Sequence, residues 1–226
     1  MDLWSARGIA EIAELRDLAR AMQTLSTMEK SAFVSDIEEI RRRARLHIEK
    51  GAVTEGYRAD RETVLELLNQ SLATEIVCVL RYRRHYFMAQ GPSSKGIADE
   101  FLEHANEEQQ HADMIAERIA QLGGQPNFSP EGMLGRSHSE YVEGKTLADM
   151  VKEDLIAERI AIESYGDIIR FLGDKDPTSR RMLEEILAKE EEHANDMLDL
   201  MGQLDAKHAT ADAPKPENGT AKKKPS

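Results

Sequence analysis

The sequence predicts an all-α fold, an antiparallel four-helix bundle with one long crossover, preceded by a helical extension. Three observations predict it. Apolar residues recur three and four positions apart over long stretches, with no alternating strand pattern. Glycine and proline gather between those stretches, at Gly51/Gly56, Gly91-Pro92, Gly123-Gly124-Gln125-Pro126, Gly144 and Gly173 to Pro177. The stretches so bounded have the lengths of bundle helices.

In chain order, Leu15, Leu18, Met22 and Leu25 form a helical stripe and Ile37 and Ile40 begin a second, so residues 1–60 read as an extension of one or two helices. Four long helices follow, over 61–90, 95–122, 146–172 and 177–204. Short connections join the first to the second and the third to the fourth, whereas 123–145 is long enough to run the length of the bundle. Beyond Leu204 the composition turns to Ala, Thr, Pro, Asn and Lys, so 205–226 reads as a disordered tail.

Composition narrows the function. The 226 residues carry 30 Lys plus Arg against 42 Asp plus Glu, a net charge of −12, which disfavours a globally basic nucleic-acid binder and favours cationic partners. The single cysteine, Cys78, excludes an intrachain disulfide framework, a CxxC pair and a Cys-rich zinc site, and fits a reducing cytoplasm. Cys78 itself reads as a small buried apolar residue. The amino-terminal residues lack the apolar core of a secretory signal, and no segment is expected to approach the roughly 20 apolar residues of a membrane span.

The bundle is internally duplicated, and its repeats carry charge where apolar residues belong. Leu68, Leu72, Glu75, Val79, Tyr82 and Tyr86 share one helical face, and Val151, Leu155, Glu158, Ile162, Tyr165 and Ile169 repeat its spacing. The second and fourth helices align Phe101, His104, Glu108, His111, Ile115 and Leu122 with Leu183, Ile186, Glu190, His193, Met197 and Leu204. Four buried carboxylates would cost several kcal/mol each unless protonated or met by cations, roughly. Two divalent ions neutralise four carboxylates by formal charge. Each Glu-x-x-His offers an oxygen and a nitrogen to one ion. Carboxylate-rich ligation with one imidazole per metal suits Fe(II) or Mn(II), at the spacing of about 3.5–4 Å usual for two-metal sites. The expected ligands are therefore Glu75, Glu108, His111, Glu158, Glu190 and His193.

At these residues the chain resembles the bacterioferritin branch of the ferritin-like di-iron family. The resemblance covers about 61–204 and includes Leu68-Asn69-Gln70 to Glu75, Glu-x-x-His-Ala-Asp at 108–113, and Leu122-Gly123-Gly124-Gln125-Pro126-Asn127. It implies a cytoplasmic ferroxidase oxidising Fe(II) with oxygen or hydrogen peroxide for iron storage and detoxification, in a homo-oligomeric shell of 12 or 24 subunits or a smaller assembly. It further implies that Glu108 and either Glu158 or Glu75 act partly as bridges, that His111 and His193 are terminal ligands, and that Tyr82 hydrogen-bonds to the centre or supplies an electron. Tyr165, its duplicate, is expected to pack only. The chain departs from the pattern where Gln109 replaces the haem-ligating Met, which argues against haem. It shows no fifth helix after Leu204, and residues 1–60 have no counterpart in the compact bundle.

Other signals are weaker. His104 stands where its duplicate is Ile186, and reads as an accessory ligand, a gate or a hydrogen-bonded core histidine. Glu103 and Glu107 read as mineral-nucleating carboxylates or ordinary surface ones. Arg41-Arg42-Arg43-Ala44-Arg45 reads as a solvated or interhelix face. Residues 207–226 carry five Lys against Asp212 and Glu217, a tail that could hold DNA phosphates, as in DNA-protecting miniferritins. A rubrerythrin-like peroxidase or a manganese catalase is the alternative enzyme, although Ala161 stands where rubrerythrins carry a further carboxylate. A non-enzymatic interaction protein is the alternative of another class.

Overall fold

A computed structural model describes residues 36–91 and 94–211, with the side chains of 207–211 left aside. The stripe from Leu15 to Leu25 and the lysines from Lys215 onward lie outside the described residues. The chain divides into two compact units, Met1–Gly56 and Tyr57–Ser226.

In the first unit α1 spans Ile37–Arg43. Asp36 caps it, accepting from the Glu38 backbone N–H, and Glu38 and Glu39 begin it while Arg41 to Arg43 end it, as the helix dipole favours. The arginine run is an ion-paired, largely exposed helix face, with Arg41 on Glu38 at 2.6 Å and Arg42 on Glu39 at 2.7 Å.

The second unit holds the four long helices where the periodicity put them: α2 Arg61–Met88, α3 Lys95–Gln121, α5 Leu147–Leu172 and α6 Pro177–Ala211, with a short α4, Met133–Arg136, in the crossover. No strand occurs among the described residues. The sequence-level boundaries have clear causes. Asp60 caps α2; Thr146 and Asp149 close a reciprocal capping box on α5; Gly173 ends α5 at φ +50°. Asp176 starts α6 by accepting from the Ser179 N–H at 2.9 Å, and Pro177 takes the first helical position, where its missing N–H costs nothing. The last helix continues beyond the expected end at Leu204 to Ala211.

Side chains of α2 pin the crossover along its course. The Asn127 N–H donates to Asn69, the His138 N–H to Thr74, Arg81 donates to the Glu140 carbonyl and Arg84 to that of Glu143. Successive positions on α2 hold successive positions of the crossover, so the connection runs the length of the helix. Gly124 permits its first turn, because a Cβ there would come within 2.4 Å of Leu65 Cδ2.

One expectation is corrected. Among the described residues, α2 does contain an 18-residue stretch of mean hydropathy 1.3, long and apolar enough to cross a membrane by composition alone. More than half of it is buried inside the bundle, and Glu75 on the same helix is buried with it.

Candidate metal centre

Each long helix delivers its charged residue to the bundle interior. Glu75 comes from α2, Glu108 and His111 from α3, Glu158 from α5, Glu190 and His193 from α6, and the structure buries all six. Their ligand atoms fall into two groups, each drawn together within 4.8 Å: Glu75, Glu108, His111 and Glu190, and Glu108, Glu158, Glu190 and His193. His111 Nδ1 lies 2.8 Å from Glu190, 3.3 Å from Glu108 and 3.5 Å from Glu75. His193 Nδ1 lies 3.5 Å from Glu108, 3.9 Å from Glu190 and 4.0 Å from Glu158.

The residues common to both groups are Glu108 and Glu190. Glu75 and Glu158 each belong to only one of the two groups.

The electrostatics describe a cluster short of positive charge. Burial, then the charge of Glu108, lifts Glu75 well above the carboxylate range and Glu158 to about 7. Burial, then Glu108 and Glu75, lifts Glu190 likewise. Burial works against the Glu108 carboxylate too, but its contacts with Glu75, His111 and His193 outweigh it and hold that group well below 4.5. The carboxylates overcome burial at the imidazoles as well, raising His111 and bringing His193 to about 9.

The donor set fits a pair of divalent ions. Glu75 Oε2, Glu108 Oε1, Glu158 Oε2, both Glu190 oxygens and His193 Nδ1 are buried without a hydrogen-bond partner, the close approach of Glu190 to His111 lacking the alignment of one. Such orphaned atoms are rare and costly, and here they converge on the two points where an ion would satisfy them.

A second layer orients these ligands. The Tyr82 hydroxyl donates to Glu158, and the Tyr165 hydroxyl donates to Glu75. Each tyrosine thus reaches across to the glutamate of the opposite duplicate. The expectation that Tyr165 only packs is overturned; the duplication of Tyr82 at the same offset as the glutamates was the signal that could have found its role. Glu107 sits 2.7 Å from His193 Nε2, which fixes the imidazole with Nδ1 turned inward. Glu107 is therefore more than an ordinary surface carboxylate, while Glu103 is exposed. His104 packs behind the centre, its Nδ1 3.2 Å from the Tyr82 hydroxyl and its ring stacked on His193 at 4.0 Å. Cys78 is buried, as expected, and Arg81 approaches its sulfur at 3.6 Å. A surface cavity of about 250 Å³ lined by Glu107, Gln110, His111 and Lys189 leads to the His111 side.

A duplicated bundle with a lengthwise crossover and a Glu-x-x-His pair facing its copy across the core defines a ferritin-like carboxylate-bundle protein. Residues 65–206 match the family model "Ferritin: Ferritin-like domain". The chain is 33% identical over 145 residues to the bacterioferritin of Mycobacterium leprae, covering 62% of this chain and 87% of that one. It is 34% identical over 136 residues to a nutrient stress-induced DNA-binding protein of Nostoc sp., covering 58% and 73%. Among solved structures it superimposes on the dodecameric thioferritin of Bacteroides fragilis, a bacterioferritin-related protein, with a TM-score of 0.65 and 28% identity over 70% of this chain and 94% of that one. The chain belongs to the ferritin-like family, in its bacterioferritin branch.

Proposed function

We propose that this protein is a ferroxidase that takes up Fe(II) as its substrate, binds two ions per chain between Glu75, Glu108, His111, Glu158, Glu190 and His193, and oxidises them to Fe(III) for storage. The observation that carries the reading is the convergence of buried, unpartnered carboxylate and imidazole atoms on two points that share Glu108 and Glu190. The bacterioferritin relatives support iron as the metal. Two neighbouring Fe(II) ions supply a pair of electrons, which oxygen or peroxide accepts.

The protein's own groups prepare that reaction. Glu108 and Glu190 would serve both positions, and Glu75 and Glu158 one each. The tyrosine hydroxyls hold the Glu75 and Glu158 carboxylates in place by hydrogen bonds. Glu107 keeps the His193 lone pair on Nδ1 facing inward. Because Tyr82 already donates to Glu158, the phenol is placed to pass an electron to the oxygen or peroxide oxidant while its proton goes to that carboxylate.

We also infer a homo-oligomer. Leu80, Phe87, Met88, Phe171 and Leu198 leave large apolar side chains exposed on the single chain, and the Bacteroides neighbour is dodecameric. A second reading, DNA association through Lys215 and Lys222 to Lys224, is favoured by the Nostoc relative's name, and predicts a retarded DNA band that weakens steeply with salt.

Anaerobic Fe(II) titration followed by oxygen, read by absorbance and native mass, tests the main reading. It expects saturation near two irons per chain in the first phase, then oxidation, then uptake well beyond two in a large particle. Substituting Glu108→Ala with His111→Ala should abolish rapid oxidation while the helical spectrum survives; unchanged oxidation in that variant would sink the assignment.

A further inference from the structure

We propose that Glu100, His104 and Asp196 form a third divalent-metal site, distinct from the paired centre and placed between it and the protein surface. The three ligand atoms lie within 4.8 Å of one another. His104 is 1% exposed, while Glu100 and Asp196 are partly open to solvent, so the site has a buried nitrogen at its base and an accessible mouth.

The hydrogen-bond chain around His104 makes this more than a gathering of charges. The Tyr82 hydroxyl spends its only proton on Glu158, so its contact with His104 requires Nδ1 to carry the hydrogen. That leaves the Nε2 lone pair bare. Nε2 points at two carboxylate oxygens, Glu100 Oε1 and Asp196 Oδ2, each 3.6 Å away and beyond hydrogen-bonding reach. Three electron-rich atoms facing a common point repel one another unless a cation stands there. Ligands bonded to one ion at about 2.0–2.2 Å sit roughly 3–3.5 Å apart, and the two 3.6 Å separations from His104 come close to this. One imidazole with two carboxylates suits a first-row ion such as Fe(II), Zn(II) or Mn(II).

The site also has a direction. The His104 ring stacks on His193 at 4.0 Å and lies with Glu158 and His193 in a further group of ligand atoms within 4.8 Å. An ion held at Glu100, His104 and Asp196 is therefore one ring away from the second position of the paired centre. This role as a stage on the way inward rests on the two-metal reading above, whereas the site itself does not.

Redox-inert Zn(II) is the probe. The assembled full-length protein and its Glu100→Gln/Asp196→Asn variant are equilibrated with Zn(II), dialysed, and counted for tightly held metal per chain. The expected result is a loss of one ion in the variant, from three to two; a loss from one to none would keep this site and discard the paired centre. Equal counts in the two proteins overturn the proposal whatever their value. Should the double variant fail to assemble, Asp196→Ala, at a partly exposed position, reads the same loss. Matching circular dichroism spectra establish that the loss is not one of fold.

Discussion

The tyrosine pair puts a test on individual side chains. Tyr165 removes an orphaned oxygen from Glu75 just as Tyr82 does from Glu158, so replacing either by Phe keeps the ring's packing and removes only the donor. Outer hydrogen-bond partners of ligands are typically worth about 10- to 100-fold in metal affinity. Tyr165→Phe should therefore weaken Fe(II) or Zn(II) binding by roughly that factor with little change in helical content; a Phe variant binding as tightly as the parent would return Tyr165 to the role of packing. Glu107→Gln should weaken binding in the same sense, through a His193 ring no longer held by a charged partner. The six buried residues of the candidate centre were legible because each breaks an apolar stripe at a repeated offset. Glu107, Glu100 and Asp196 were not, because a carboxylate in a helix rich in carboxylates looks alike whether it faces water or an imidazole on a neighbouring helix.

Among the elements, the crossover depends on α2 and α5 together. Arg81 donates to Asp154 at 2.8 Å, His85 Nδ1 lies 2.7 Å from the other Asp154 oxygen, and both bases reach on to the crossover, Arg81 to Ser139 and Glu140, His85 to the Glu143 carbonyl. All three side chains are buried. Asp154→Ala would strand Arg81 in the interior, which typically costs about 3–5 kcal/mol, and chemical denaturation of the metal-free protein should show a loss of that order. A change under about 1 kcal/mol would mean that water reaches the guanidinium and relieves it. The helices themselves were readable from period and punctuation. This network was not, since Arg81, His85 and Asp154 belong to no repeated pattern and find one another only after the helices pack. The route of the crossover, in contrast, followed from its length alone, because a connection between 123 and 145 has little else to lie along.

For the whole molecule, protons and metal ions compete for the same interior, and the direction of the competition can be worked out. Folding raises Glu158 from 4.5 to about 7, so its contribution to stability is complete below 4.5 and is lost as pH rises through about 7, and Glu75 and Glu190, raised well above the carboxylate range, contribute in the same sense. His193, raised from 6.5 to about 9, contributes below 6.5 and stops doing so as pH climbs through about 9. Glu108, held low, runs the other way but titrates only in acid. The chelated protein should thus melt at a lower temperature at pH 9 than at pH 6. Metal must displace these protons, so the gain in Tm on loading with Zn(II) should widen over the same interval. A gain that is flat or shrinks with pH would contradict the shifts. The two helix pairs, α2 with α3 and α5 with α6, pack far more closely within themselves than against each other. Each group of ligands nevertheless borrows one glutamate from the other pair, Glu190 in one case and Glu108 in the other. Ions shared in this way would act as a double rivet through the seam of the molecule. Pulled from its ends, the loaded chain would bear load where the metal-free chain slides open.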